Sequence, residues 1–131
     1  MLRGAILGFG QVAEKAHLPA FEKDSGFEIV AVADERPERI RVAREHLPGA
    51  KTYSSLRELL DSNAAFDFVD IATPPGLHAD QVLDCLGAGR HVLCEMPLAL
   101  RLEDFERIRL ESILTKRTVF TVHNWKYAPH F

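Results

Sequence analysis

Gly4-Ala5-Ile6-Leu7-Gly8-Phe9-Gly10-Gln11-Val12-Ala13 joins a short apolar run to the pattern Gly-x-Gly-x-x-Ala. The run Gly4–Gly8 reads as a buried strand, and the residues after Gly10 read as the start of a helix, which is the context the glycine pattern requires. The first glycine permits a tight turn, the second lets backbone approach a pyrophosphate, and the small third residue packs helix on strand. Unpaired N–H groups at a helix start then face the phosphates. A pair of glycines alone also fits an ordinary βα connection. The added signal is Asp34, closing the apolar stretch Glu28–Asp34 at about the 20-residue offset where a carboxylate meets a ribose 2′-hydroxyl. That carboxylate repels a 2′-phosphate, so NAD is expected over NADP, a preference softened by Arg36 and Arg39 nearby.

Outward from this unit the apolar period keeps switching between strand-like and helix-like, the signature of a parallel α/β sheet. Residues 11–23 are helix-compatible, with Pro19 expected to kink or restart the helix. A helix starting near Pro37 buries Ile40, Ala43 and Leu47 and stops at Pro48-Gly49. Lys51–Tyr53 reads as a short strand, and Ser55 with Glu58 has capping-box spacing. Strands are expected at Phe66–Thr73, Val92–Cys94 and Thr118–Val122, and helices at His78–Leu86 and Leu102–Leu114. Five or six strands separated by helices make a Rossmann-type, doubly wound parallel sheet in a single domain. The expected division is residues 1–123 for the nucleotide-binding domain and 124–131 for the start of a connection onward.

Composition narrows the function classes. With 47% hydrophobic and 27% charged residues and a net charge of −3, the 131-residue chain has an ordinary globular balance and no broad basic field for nucleic acid. No apolar run approaches the roughly 20 residues that cross a bilayer. Cys85 and Cys94 lack metal-ligand spacing, so no metal is expected, and a reducing cytosol is the expected compartment.

Taken together, Gly8-Phe9-Gly10 with Ala13, His17-Leu18-Pro19-Ala20, Asp34, Thr73-Pro74-Pro75 with His78, Gly89 through Pro97, and His123 through Tyr127 with Pro129 resemble the N-terminal cofactor domain of the Gfo/Idh/MocA oxidoreductases. The family acts mainly on sugars and polyols with NAD(P). The resemblance implies that Gly8, Phe9, Gly10, Gln11 and Val12 surround the pyrophosphate and that Asp34 holds the adenosine ribose. It implies further that Thr73, Pro74 and His78 line the cofactor cleft, and that Glu95, Pro97 and Asn124 approach the nicotinamide. Two departures limit what is carried over. Met96 stands where the family has a lysine that orients and helps deprotonate a hydroxyl; a thioether has no titratable proton. The family also continues into a substrate domain, which this chain is expected to lack. The implied activity is therefore cofactor binding with no catalytic residue of its own and no appreciable turnover. A non-catalytic sensor, or a subunit docking on a partner, is the alternative.

His17 reads as structural, near the kinked helix, with an approach to a ligand in the cleft left open. His78 could instead cap a helix or satisfy backbone carbonyls. His46, His91 and His130 read as surface or local hydrogen-bonding residues. Apolar surface near Trp125, Tyr127 and Phe131 points to a homodimer.

Overall fold

In a computed structural model describing residues 1–129, six strands alternate with helices along the chain. They are β1 (Leu2–Leu7), β2 (Phe27–Ala33), β3 (Lys51–Tyr53), β4 (Phe68–Ile71), β5 (His91–Cys94) and β6 (Val119–Thr121). Every neighbouring pair is parallel, in the order β3-β2-β1-β4-β5-β6. This is the doubly wound Rossmann order, with its switch point between β1 and β4.

The helices divide between the two faces because side chains alternate along each strand. Ala5, Leu7, Val69, Ile71, Val92 and Cys94 point to one face and pack with Leu59 of α3 (Leu56–Asp61), Val82, Cys85 and Leu86 of α4 (His78–Gly87), and Ile108 of α5 (Leu102–Thr115). Ile6 and Val32 point to the other face, against Ala13, Leu18 and Ala43. Ala43 lies on α2 (Pro37–His46) and Leu18 opens α1 (Leu18–Glu22).

Residues 11–22 form one helical segment, but Ala13–His17 within it is a π-turn whose closing bond runs from Leu18 N–H to the Ala13 carbonyl. A prolyl ring in a regular helix clashes with the carbonyl four residues back. The wider turn ends just before Pro19, which occupies the first turn of α1. The expected restart thus takes the form of a π-turn, and it seats His17 and Leu18 together toward the sheet. At the head of α3, Ser55 Oγ accepts from Glu58 N–H at 3.1 Å, while the Glu58 carboxylate reaches Ser54 N–H at 2.9 Å, one residue earlier than a standard capping box.

Several boundaries differ from expectation. β4 is shorter than Phe66–Thr73: its ladder ends at Ile71, beyond which Ala72 N–H bonds back to Leu7 and the chain turns into the cleft. β6 likewise covers only Val119–Thr121. Tyr127 is exposed, as are Leu102, Leu110, Ile113 and Leu114 on α5. The expectations for His130 and Phe131 lie outside the described residues. Among those residues no helix is long and apolar enough to cross a membrane.

Candidate functional site

β1 delivers the chain to the switch point, where open α/β sheets form their ligand crevice. Gly8 turns there at φ +86°, and an added Cβ would sit 2.9 Å from the Ala72 carbonyl oxygen and 2.9 Å from Thr73 Cγ2. Both backbone conformation and space require glycine. Gly10 is different: the nearest atom to an added Cβ is Arg36 Nη2, 3.8 Å away. Nothing within the described chain demands a glycine at that position.

Asp34 ties the turn to the end of β2. Its Oδ2 accepts from Phe9 N–H at 2.8 Å and Arg36 Nη2 at 3.0 Å; its Oδ1 accepts from Arg36 N–H at 2.8 Å and Arg36 Nε at 3.1 Å. Burial opposes the charge, but these bonds, led by the guanidinium, hold the carboxyl below the usual carboxylate range. Phe9 has its N–H engaged by Asp34 and its ring fully buried in the core, so it supports the turn from within. Arg39 donates to the Phe9 carbonyl and, at 2.6 Å, to Glu14, bracing the turn. Gln11 and Val12 are exposed on the first helical turn, ahead of the bond from Glu14 N–H to the Gly10 carbonyl. N–H groups ahead of the first helical bond are the ones a helix leaves for a ligand.

A cleft of about 340 Å³ opens beside this turn, lined by Gly8, Asp34, Arg36, Ser55, Thr73, Pro74 and Gln81 among others. Thr73 donates its hydroxyl to the Gln81 amide oxygen, which fixes that wall. His78 stands as in the alternative reading, against backbone carbonyls. Its ring is fully buried beneath the cleft, with Nδ1 2.8 Å from the Pro97 carbonyl and Nε2 2.7 Å from the Thr73 carbonyl. Whichever nitrogen carries hydrogen latches one of these two loops, so His78 shapes the cleft without lining it.

The β5 side of the same edge carries Glu95, whose N–H donates to the Ile71 carbonyl at 2.9 Å. Met96 is half exposed beside it, and Asn124 lies exposed in the short turn Asn124–Tyr127 after β6. Beneath Glu95 lies a group that sequence reasoning missed. His17 donates through Nδ1 to Asp70 at 2.8 Å and through Nε2 to Glu95 at 2.6 Å. Burial disfavours the imidazolium, but Asp70 and then Glu95 outweigh it and push His17 up to about 9. Burial raises Asp70 as well, with His17 opposing. The available signal was Asp70 itself, a carboxylate inside an otherwise apolar central strand. Cys85 and Cys94 are buried and free, their thiols pushed up to about 12 by burial. No group of three potential metal ligands occurs among the described residues.

The sequence profile of an oxidoreductase family, described as an NAD-binding Rossmann fold, matches residues 2–122. Myo-inositol 2-dehydrogenase of Thermotoga maritima is 28% identical over 99% of this chain and 38% of its own length. The WlbA dehydrogenase of Bordetella pertussis, solved with NADH and UDP-GlcNAcA, superposes with a TM-score of 0.86 at 32% identity, covering 92% of this chain and 36% of that one. A 3-ketoreductase of Actinomadura kijaniata, solved as a mutant with TDP-benzene and NADP, gives 0.89 at 26% identity, covering 98% and 40%. The chain spans about a third of the length of the curated relatives it matches.

The raised pKa of His17 has a direct consequence for stability. A group whose folded pKa, about 9, exceeds its ordinary 6.5 stabilises the fold fully below about 6.5 and loses that contribution as pH rises through 9. The urea midpoint of the wild type should therefore fall steadily from pH 7 to 9.5. His17→Ala should start lower and lack that slope; a wild-type midpoint independent of pH over this range would contradict the assignment.

Proposed function

The chain belongs to the Gfo/Idh/MocA oxidoreductase family, and from that premise we propose that it binds NAD(H) across the carboxyl edge of the sheet. The bound nicotinamide would supply hydride transfer to or from a sugar or polyol carbon, the chemistry of its sugar and polyol dehydrogenase relatives. The observation that carries this reading is the contrast between the two glycines. Gly8 is required by its own neighbours, whereas the open space before Gly10 suits the close approach of a pyrophosphate. Gly8, Gly10, Gln11 and Val12 are read as the phosphate turn, Asp34 as the ribose acceptor, and Thr73 and Pro74 as the cleft wall. Glu95, Pro97 and Asn124 are read as the nicotinamide end. Residues 1–123 then form the cofactor domain and 124–131 the connection onward.

NAD is favoured over NADP in this reading because Asp34 stays ionised where a 2′-phosphate would lie. Arg36 moderates the preference by sharing that carboxylate. Met96, with no proton to exchange, leaves residues 1–131 without an acid or base of the family's kind. We read the chain by itself as a binding domain that needs further residues for turnover. The reading extends to a reducing cytosol, where two free thiols persist. It also extends to a homodimer, for which the exposed apolar side chains of α5 are the natural contact.

Calorimetric titration tests the binding reading. NADH should bind more tightly than NADPH, and Gly10→Ala should weaken NADH at least about tenfold, or roughly 1.4 kcal/mol, with no loss of melting temperature. Unchanged affinity in Gly10→Ala would remove the reading's main support. The pure chain should yield no polyol-dependent NADH signal in absorbance, and any steady signal would overturn the binding-only assignment. Sedimentation equilibrium should return twice the 14.7 kDa chain mass, and Ile113→Glu should return the monomer.

A further inference from the structure

Behind the phosphate turn, three ionisable side chains from three separate segments meet in a line. Asp70 in β4 is fully buried, and its Oδ1 has no hydrogen-bond partner among the described residues. Its Oδ2 accepts from His17, whose opposite nitrogen donates to Glu95 Oε1. Glu95 Oε2 accepts from Met96 N–H at 3.2 Å. Both ends of the Glu95 carboxylate are thereby held, while its side chain remains 26% exposed at the carboxyl edge.

Such a cluster is a poor way to stabilise a fold. Desolvating buried charges cancels most or all of their attraction, and apolar residues of similar volume commonly do as well or better. What the line of charges accomplishes is orientation, since the two buried members fix the one that reaches solvent. The direction of the ligand follows from the topology. With adenosine at Asp34 on the β2 side and pyrophosphate over the turn, the remaining half extends toward β4 and β5, where Glu95 stands.

Resting on the dinucleotide reading above, the geometry points to His17 and Asp70 as positioning residues. They fix the Glu95 carboxylate as the hydrogen-bond acceptor for the second ribose and carboxamide of the dinucleotide. Each carboxylate oxygen keeps accepting capacity beyond its single bond here. His17 and Asp70 themselves never touch the ligand.

The test compares NADH with ADP, which lacks the second ribose and the nicotinamide, by calorimetry on the whole chain. His17→Gln should weaken NADH about tenfold and leave ADP within about twofold. Glu95→Gln should match it, and Asp70→Asn, which keeps an oxygen facing Nδ1, should give a smaller loss with the same selectivity. Melting curves verify folding, and if His17→Gln fails to fold, Asp70→Asn carries the comparison. Equal losses for both probes would reduce the cluster to a structural brace and overturn the proposal, as would unchanged NADH affinity in the folded variants. A wild-type chain that binds neither probe overturns the dinucleotide reading and this inference with it. Wild-type binding of both, with an unaltered ratio in the variants, overturns only the positioning role.

Discussion

The chain leaves β1 through a space that admits no side chain. Any Cβ at residue 8 would press within 2.9 Å of the Ala72 carbonyl, at a φ that L-residues rarely adopt. That single constraint sends the backbone off the sheet between β2 and β4, opens the crevice there, and sets the start of the following helix. Asp34 and Arg39 then grip the turn from both sides, one through the N–H of Phe9 and the other through its carbonyl. The buried Phe9 ring anchors it from below. The parts that face outward, Gly10, Gln11 and Val12, are thus carried on a rigid base.

The other half of the carboxyl edge is held by charge. His78 sits between the Thr73 carbonyl after β4 and the Pro97 carbonyl after β5, and His17 links β4 to Glu95. These two histidines do different work. The N–H of His78 donates to one of the two backbone carbonyls beside its buried ring. His17 instead bridges two carboxyl groups, one of them fully buried, with a single positive charge; removing one partner of a buried pair costs about 3–5 kcal/mol, because the other charge is left without compensation. The π-turn before Pro19 brings His17 to that place while keeping Leu18 in the core.

Much of the fold was legible in the alternation of periods. EIVAVAD and FDFVDIAT read as buried strands because parallel strands covered on both faces are nearly continuous apolar runs. The candidate site was legible in part. Gly8, Gly10 and Asp34 carry spacing information that survives in one dimension, since turn, strand and carboxylate follow one another within a single βαβ unit. The contacts of Arg39 with Phe9 and Glu14, and of His78 with the Pro97 carbonyl, were not legible for the opposite reason: they join segments that only packing brings near. Asp70 and His17 are 53 residues apart, and no local pattern joins them.

The sequence by itself determined the parallel α/β architecture, the glycine turn and its acidic companion, and the absence of the lysine at residue 96. All of these depend on residue type and short-range spacing. Tertiary structure alone decided which of the two glycines is required by the protein's own packing, which side chains line the cleft and which stand behind it, and that three distant ionisable groups meet in one hydrogen-bonded line. Those outcomes depend on distances between separate strands and on burial, which sets the strength of every charge interaction.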